Sequence, residues 1–303
     1  MTRSLAPSAF LVAYLTLLSG DSAVAKGPIG GFTADDFSKQ FSKLQSAPLA
    51  DRISAWSQLF LGTPYGLDPL GEGPSSVVDP DPLEDFRRVD CLTYVEQVMA
   101  LSYSRKRKES LPWLLKLRYE TGKPQHQYRY YTMAKGWIGA NIARGLLKDI
   151  TQSIGGKRVK TVSVDLEKRR YWKKEFKERF ELHGDSAPKG RAVVPFIPLA
   201  RAIKMVKRFP HASLMHVVRA PVRRSPFLIS HVGLIIHRNG RVYFRHASGS
   251  KGRRKVEDRL LSNYLKMLKL RFNRPKRRPV MGVNLVEILQ QQSPSQAQPP
   301  TGG

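Results

Sequence analysis

Apolar positions recur at intervals of three and four through the first half of the chain, then give way to short β-branched runs. Thr33-Ala34-Asp35-Asp36 has the form of a helix N-cap with acids in the first turn, and Phe37, Phe41 and Leu44 share one face after it. A second helix is predicted from about residue 49 to 61, carrying Ile53, Trp56, Leu59 and Phe60. Gly62 and Pro64 stop it. Residues 66–85 are rich in Gly, Pro and Asp, which predicts a loop. A third helix follows Asp90-Cys91, with Leu92, Val95, Val98, Met99 and Ala100 along one side, and ends near Tyr103. Further helices are predicted at residues 111–119, 137–147 and, from alternating basic and aromatic residues that include Tyr171, Trp172 and Phe176, about 161–181. Tyr128, Tyr130, Tyr131 and Trp137 form an aromatic cluster that reads as core or groove wall.

In the second half, residues 192–197, 214–219, 228–236 and 241–246 are strand-like runs separated by Pro, Gly and Asn. Asn239-Gly240 between the last two is a hairpin signal. Residues 256–270 read as a helix with Leu260, Leu261, Tyr264 and Leu268 on one face, and residues 280–286 as a final strand. Helices first and strands later give the α+β class with an antiparallel sheet.

The two ends differ from this body. Arg3 precedes an apolar run at residues 9–18, and Ala23-Val24-Ala25 precedes Lys26 in the form of a secretory cleavage site. That run is too short to span a bilayer, and no later segment has eighteen apolar residues. The expectation is a signal peptide over 1–25, one catalytic domain over 26–289 and a disordered Gln-, Ser- and Pro-rich tail over 290–303. The mature protein is expected to be exported, with no transmembrane segment after signal removal.

Composition is that of a globular protein, 41% hydrophobic and 25% charged over 303 residues, but 52 Lys and Arg against 24 Asp and Glu give +28. Such a field favours an anionic partner: nucleic acid, an acidic lipid surface or a carboxylate-rich polymer. Export argues against nucleic acid. The basic runs at 105–108 and 269–278 also fit plain solvated faces.

Against that background the one cysteine, Cys91, gains weight. It has no disulfide partner within the chain, and an unpaired thiol in an oxidising compartment is either buried or functional. At the first turn of a helix, free N–H groups and the dipole favour a thiolate. Asp90 caps the helix, and its charge raises the thiol pKa instead. The alternative is a small core hydrophobe. Of the seven histidines, His126, His183, His211, His216, His231, His237 and His246, two stand out. His231 enters an apolar strand with Gly233 on the same face, which leaves space beside the imidazole. The Asn239-Gly240 turn brings His246 back towards it, as a base and its orienting group. Zinc held by the two imidazoles and an Asp is the competing use, but no metal-ligand spacing accompanies them.

Leu61-Gly62-Thr63-Pro64-Tyr65, Asp90-Cys91-Leu92-Thr93, Ser230-His231-Val232-Gly233 and His246-Ala247-Ser248 together resemble the NlpC-type branch of the papain-like cysteine peptidases. More closely, the chain resembles the N-acetylmuramoyl-L-alanine amidase-like family of that superfamily. Trp137-Ile138-Gly139-Ala140-Asn141, Asp149-Ile150-Thr151 and Gly155-Gly156 add to the likeness, which spans roughly residues 59–286. The resemblance implies a papain-like fold with the nucleophile helix packed on the sheet. It implies Cys91 as nucleophile, His231 as general base, His246 as its orienting residue, the Cys91 N–H in the oxyanion hole, and a hydroxyl from Tyr65 nearby. The loop at 66–88 departs from the family by lacking a Trp-Gly-Gly continuation.

The implied activity is hydrolysis of an amide in peptidoglycan or a muropeptide, at the N-acetylmuramoyl–L-alanine bond, in the periplasm or outside the cell, without a cofactor. Other anionic envelope polymers are possible partners for the basic surface. Alternatives are a γ-D-glutamyl–diamino acid endopeptidase and a non-catalytic cationic envelope-binding module.

Overall fold

The computed structural model describes residues 29–130, 132–166, 190–222, 227–272 and 278–291. Helix α1, Ala34–Lys43, starts at a capping box in which Thr33 and Asp36 each accept from the other's backbone N–H. Helix α2 is Leu49–Leu59, and the chain turns away at Gly62 with φ 88°. Helix α3, Cys91–Tyr103, has a second capping box: Asp90 Oδ1 accepts from the N–H of Leu92 at 3.0 Å and of Thr93 at 2.8 Å, while Thr93 Oγ1 accepts from the Asp90 N–H at 2.9 Å. Helix α4 is Ser110–Arg118.

The stretch between α2 and α3 contains no helix or strand from residue 66 to 88. It is held by side chains instead. Arg129 donates to Asp68 Oδ1 at 2.6 Å, to the Leu70 carbonyl at 2.7 Å and to Asp79 Oδ2 at 2.6 Å. The Asp68 N–H donates to Asp90 Oδ2 at 3.3 Å, which ties the loop to the cap of α3.

Among the described residues eight strands form one antiparallel sheet: β1 Leu147–Asp149, β2 Lys160–Asp165, β3 Arg191–Pro198, β4 Leu214–Arg219, β5 Ile229–Arg238, β6 Arg241–Ser248, β7 Lys255–Leu260 and β8 Val280–Ile288. The order is β2-β3-β8-β4-β5-β6-β7, with β1 beside β8. Asn239 and Gly240 turn β5 into β6 with φ 50° and 69°, the consecutive left-handed residues of a tight hairpin. Pleating sends Val232, Leu234 and Ile236 into a core shared with α1 to α4. Ile235, Met215, Val217 and Leu285 face the opposite core, closed by the helices Leu199–Lys204 and Leu261–Phe272.

Three predicted helices differ. A π-helical turn, Met133–Ile138, leads into Gly139–Ala143, and the chain leaves the helix at Gly145 with φ 68°, so Leu147 already begins β1. In residues 161–181 the described part is β2, where Val162 and Val164 alternate with polar neighbours; Tyr171, Trp172 and Phe176 lie outside the described residues. Residues 256–260 belong to strand β7, and the helix begins only at Leu261. Val256 alternates into the core while its neighbours do not, and pairing with β6 overrides the helical spacing. Trp137 is buried and Tyr130 packs against the same core, while Tyr131, the segment 1–28 and most of the polar tail lie outside the described residues.

One buried polar network ties β4 to β8 and β1. His216 Nδ1 lies 3.1 Å from Asn284 Oδ1, and Asn284 Nδ2 donates to Asp149 Oδ2 at 2.7 Å and Thr151 Oγ1 at 2.9 Å. Burial pushes the His216 imidazole from its ordinary 6.5 down to about 3. Between these values the unfolded chain binds the proton and the folded chain does not. Stability therefore falls as pH drops below 6.5, by up to about 1.4 kcal/mol per pH unit. Denaturant titrations through that range are expected to show the loss, with a shallower slope in His216→Gln. Part of the slope should persist, because burial depresses His231 and His246 as well.

Candidate active site

Pairing between β5 and β6 stops at Leu234–Arg245, yet β5 reaches back to Ile229 and β6 runs on to Ser248 beside β7. The first turn of α3 meets the sheet at this divergence, with the Val232 backbone beside Cys91. A cleft of about 510 Å³ opens there, and Cys91, His231, His246 and Tyr65 all line it. The structure thus brings all four expected site residues to one place.

His231 Nε2 and His246 Nδ1 are 2.8 Å apart, with the rings at 89°. Gly233 makes this approach possible. A Cβ there would lie 2.7 Å from both the Arg245 carbonyl oxygen and His246 Cβ. Phe244 stacks on His246 at 4.7 Å, and Tyr264 packs against the same imidazole at 5.2 Å, so the ring has little freedom. Gly233→Ala is expected to push His246 out of line. Overpacking of this kind costs about 1–3 kcal/mol. Thermal unfolding should show a lower midpoint, and turnover should fall with it.

Burial, with the nearby Arg219 charge, lowers His231 to about 4. Burial, the His231 charge and Arg259 hold His246 well below its ordinary value. Burial and then the Asp90 carboxylate push Cys91 up to about 12, while the N–H groups of Val232, Cys91 and Leu92 act against them. The expectation of a thiolate favoured by the helix start is corrected here. The N–H groups act in the expected direction, but desolvation of the single charge outweighs them.

Tyr65 is placed by bridges from Pro64 to Lys255 and from Tyr65 itself to Val89. Its ring lies against Gly249, where a Cβ would come within 2.9 Å of Tyr65 Cζ. Burial and the adjacent Cys91 raise its pKa, so the hydroxyl keeps its proton and remains a donor.

Two neighbours were not legible as site residues. Tyr264 read only as an apolar position on a helix, but it lines the cleft. Glu257 read as helical, and strand β7 instead sets it opposite His246. His216 is committed to Asn284, and His237 and His211 bond each other away from the cleft; His183 lies outside the described residues. Arg219, Lys251, Arg253, Arg259 and Arg271 line the cleft, and none of the described lining residues is acidic. Among the described residues no group of three His, Cys, Asp or Glu side chains is placed to hold a metal ion, and no helix is long and apolar enough to cross a membrane.

Comparison with known proteins gives this geometry a context. A solved structure of the Legionella pneumophila protein LPG0564, of family DUF1460, is 27% identical and superposes with a TM-score of 0.73 over 84% of this chain and 94% of that one. An N-acetylmuramoyl-L-alanine amidase from Bacteroides uniformis, 18% identical, shares the fold with a TM-score of 0.58 over 80% of this chain and 99% of that one. No curated protein matches the sequence. The profile of the N-acetylmuramoyl-L-alanine amidase-like (AmiA-like) family matches residues 55–270, and this chain, an amidase-like protein with a mixed α+β fold, belongs to that family.

Proposed function

We propose that the chain is a cysteine hydrolase of peptidoglycan that cleaves the N-acetylmuramoyl–L-alanine amide, on an NlpC-type, papain-like arrangement. The observation that carries this reading is the meeting of Cys91, at the start of α3, with the bonded His231–His246 pair in one cleft. Family membership supports the substrate class. In the proposed reaction His231 takes the thiol proton as Cys91 Sγ attacks the muramoyl carbonyl carbon. The Cys91 N–H and the protonated Tyr65 hydroxyl stabilise the oxyanion. His231 then delivers the proton to the departing alanine nitrogen, leaving a thioester on Cys91. Water, deprotonated by the same imidazole, releases the muramoyl acid and restores the thiol.

The cationic lining of the cleft suits stem-peptide carboxylates, whose attraction reaches over about 8–10 Å at ordinary salt. Residues 1–25 would direct export to the periplasm or beyond. Mass spectrometry of purified muropeptides incubated with the protein tests the reading. Free stem peptides beginning with L-alanine are expected. Fragments cut after γ-D-glutamate would instead assign the endopeptidase activity. An unchanged muropeptide profile, with thiol alkylation making no difference, would leave only the binding module.

A further inference from the structure

Glu257 on β7 is the register partner of His246 on β6, so their side chains lie on one face of the sheet. Glu257 Oε1 and His246 Nε2 are 3.8 Å apart. Both atoms are buried, and neither has a hydrogen-bond partner among the described residues. The other carboxylate oxygen, Oε2, accepts from Arg253 at 2.7 Å, which fixes the direction of the group. Two orphaned atoms, one able to donate and the other only to accept, therefore face each other. A closure of about 1 Å, or one bridging water, completes the bond.

The consequence is a choice of tautomer. At 2.8 Å the His231–His246 contact holds a single proton, so one ring donates and the other accepts. With its proton on Nδ1, neutral His246 donates to His231 Nε2. The proton of His231 then sits on Nδ1, and no lone pair remains for the thiol. With its proton on Nε2, His246 accepts from His231 Nε2–H through Nδ1. His231 Nδ1 is then left as a base. Only the second arrangement can take the Cys91 proton. A carboxylate beside His246 Nε2 selects it.

We propose that Glu257 is a positioning residue: it holds His246 in the Nε2–H tautomer and so makes His231 able to accept a proton. This rests on the reading of Cys91, His231 and His246 as the reacting set. The ionisable groups facing His246 are His231 on β5, Glu257 and Arg259 on β7, Arg253 before β7, and Tyr264 on the following helix. None of the others is an acceptor placed at Nε2.

The test is nitrogen-15 NMR of the histidine-labelled full chain at neutral pH, comparing wild type, Glu257→Gln and Glu257→Ala. The wild type is expected to show His246 protonated at Nε2, and Glu257→Ala to move the proton towards Nδ1. Muropeptide turnover should fall by at least about 10-fold in kcat with KM little changed, and the acid limb of the pH–rate profile should shift. Glu257→Gln, close in shape, serves if the alanine variant unfolds, and should retain part of both effects. The proposal is overturned if wild-type His246 carries its proton on Nδ1. It is overturned too if both variants keep the wild-type tautomer. The NMR readout needs no substrate, so a wild type inactive on muropeptides would sink the hydrolase reading while leaving this result to stand or fall separately.

Discussion

Cys91→Ala is expected to lower kcat/KM on a cleaved muropeptide by about 10⁴-fold or more, with its thermal-unfolding midpoint close to wild type. The two expectations come from separate facts. Sγ is the only thiol in the chain, and among the described residues no other nucleophile of comparable strength lines the cleft beside the His pair. The side chain is only partly buried, and removing one sulfur from it creates a small cavity open to the cleft. Cys91→Ser is expected to lose nearly as much, because a hydroxyl is far less acidic than a thiol and its oxygen sits on a shorter bond. Steady-state rates and calorimetry on the three proteins decide the matter. A Cys91→Ala protein retaining a tenth of wild-type activity would remove Cys91 from the mechanism.

The largest effect on stability is expected at the other side of α3. Arg118 Nη1 meets Glu96 Oε2 at 2.6 Å, with side chains 3% and 2% exposed. Arg118 Nη2 donates to the Leu70 carbonyl at 3.0 Å. Burial alone already raises the Glu96 pKa, and Arg118 supplies the opposing attraction. Arg118→Met leaves that carboxylate without its counter-charge and the carbonyl without its donor. A loss of about 3–5 kcal/mol is expected in urea denaturation. Adding Glu96→Leu should restore much of it, because an apolar pair of similar volume has no charge to desolvate. Single and double variants of equal stability would refute the pairing.

The parts of the molecule legible in the sequence were those fixed locally. Thr33 and Asp90 announced their helices through capping chemistry, and Asn239-Gly240 announced the hairpin through its need for left-handed backbone. Gly233 predicts space beside His231, and His246 takes that space. Strand β7 is hidden in the sequence because residues 256–270 have apolar spacings that suit a helix, whereas the pairing that makes the first five of them a strand comes from the neighbouring strand β6. Glu257 is hidden with that register. The balance of charge at Cys91 was illegible for a similar reason. A helix start and its cap can be read from neighbours in sequence, but the desolvation that dominates the thiol depends on everything packed around it.

The loop between α2 and α3 has a consequence for protein engineering. Although residues 66–88 have no regular structure, Arg129 fastens Asp68, Leu70 and Asp79 together, and Asp68 is bonded to the cap of the Cys91 helix. Lengthening or shortening it near these anchors would disturb the register of the nucleophile itself. The tip is different. Val77 is 99% exposed, so a foreign peptide or reporter domain grafted there is expected to project into solvent.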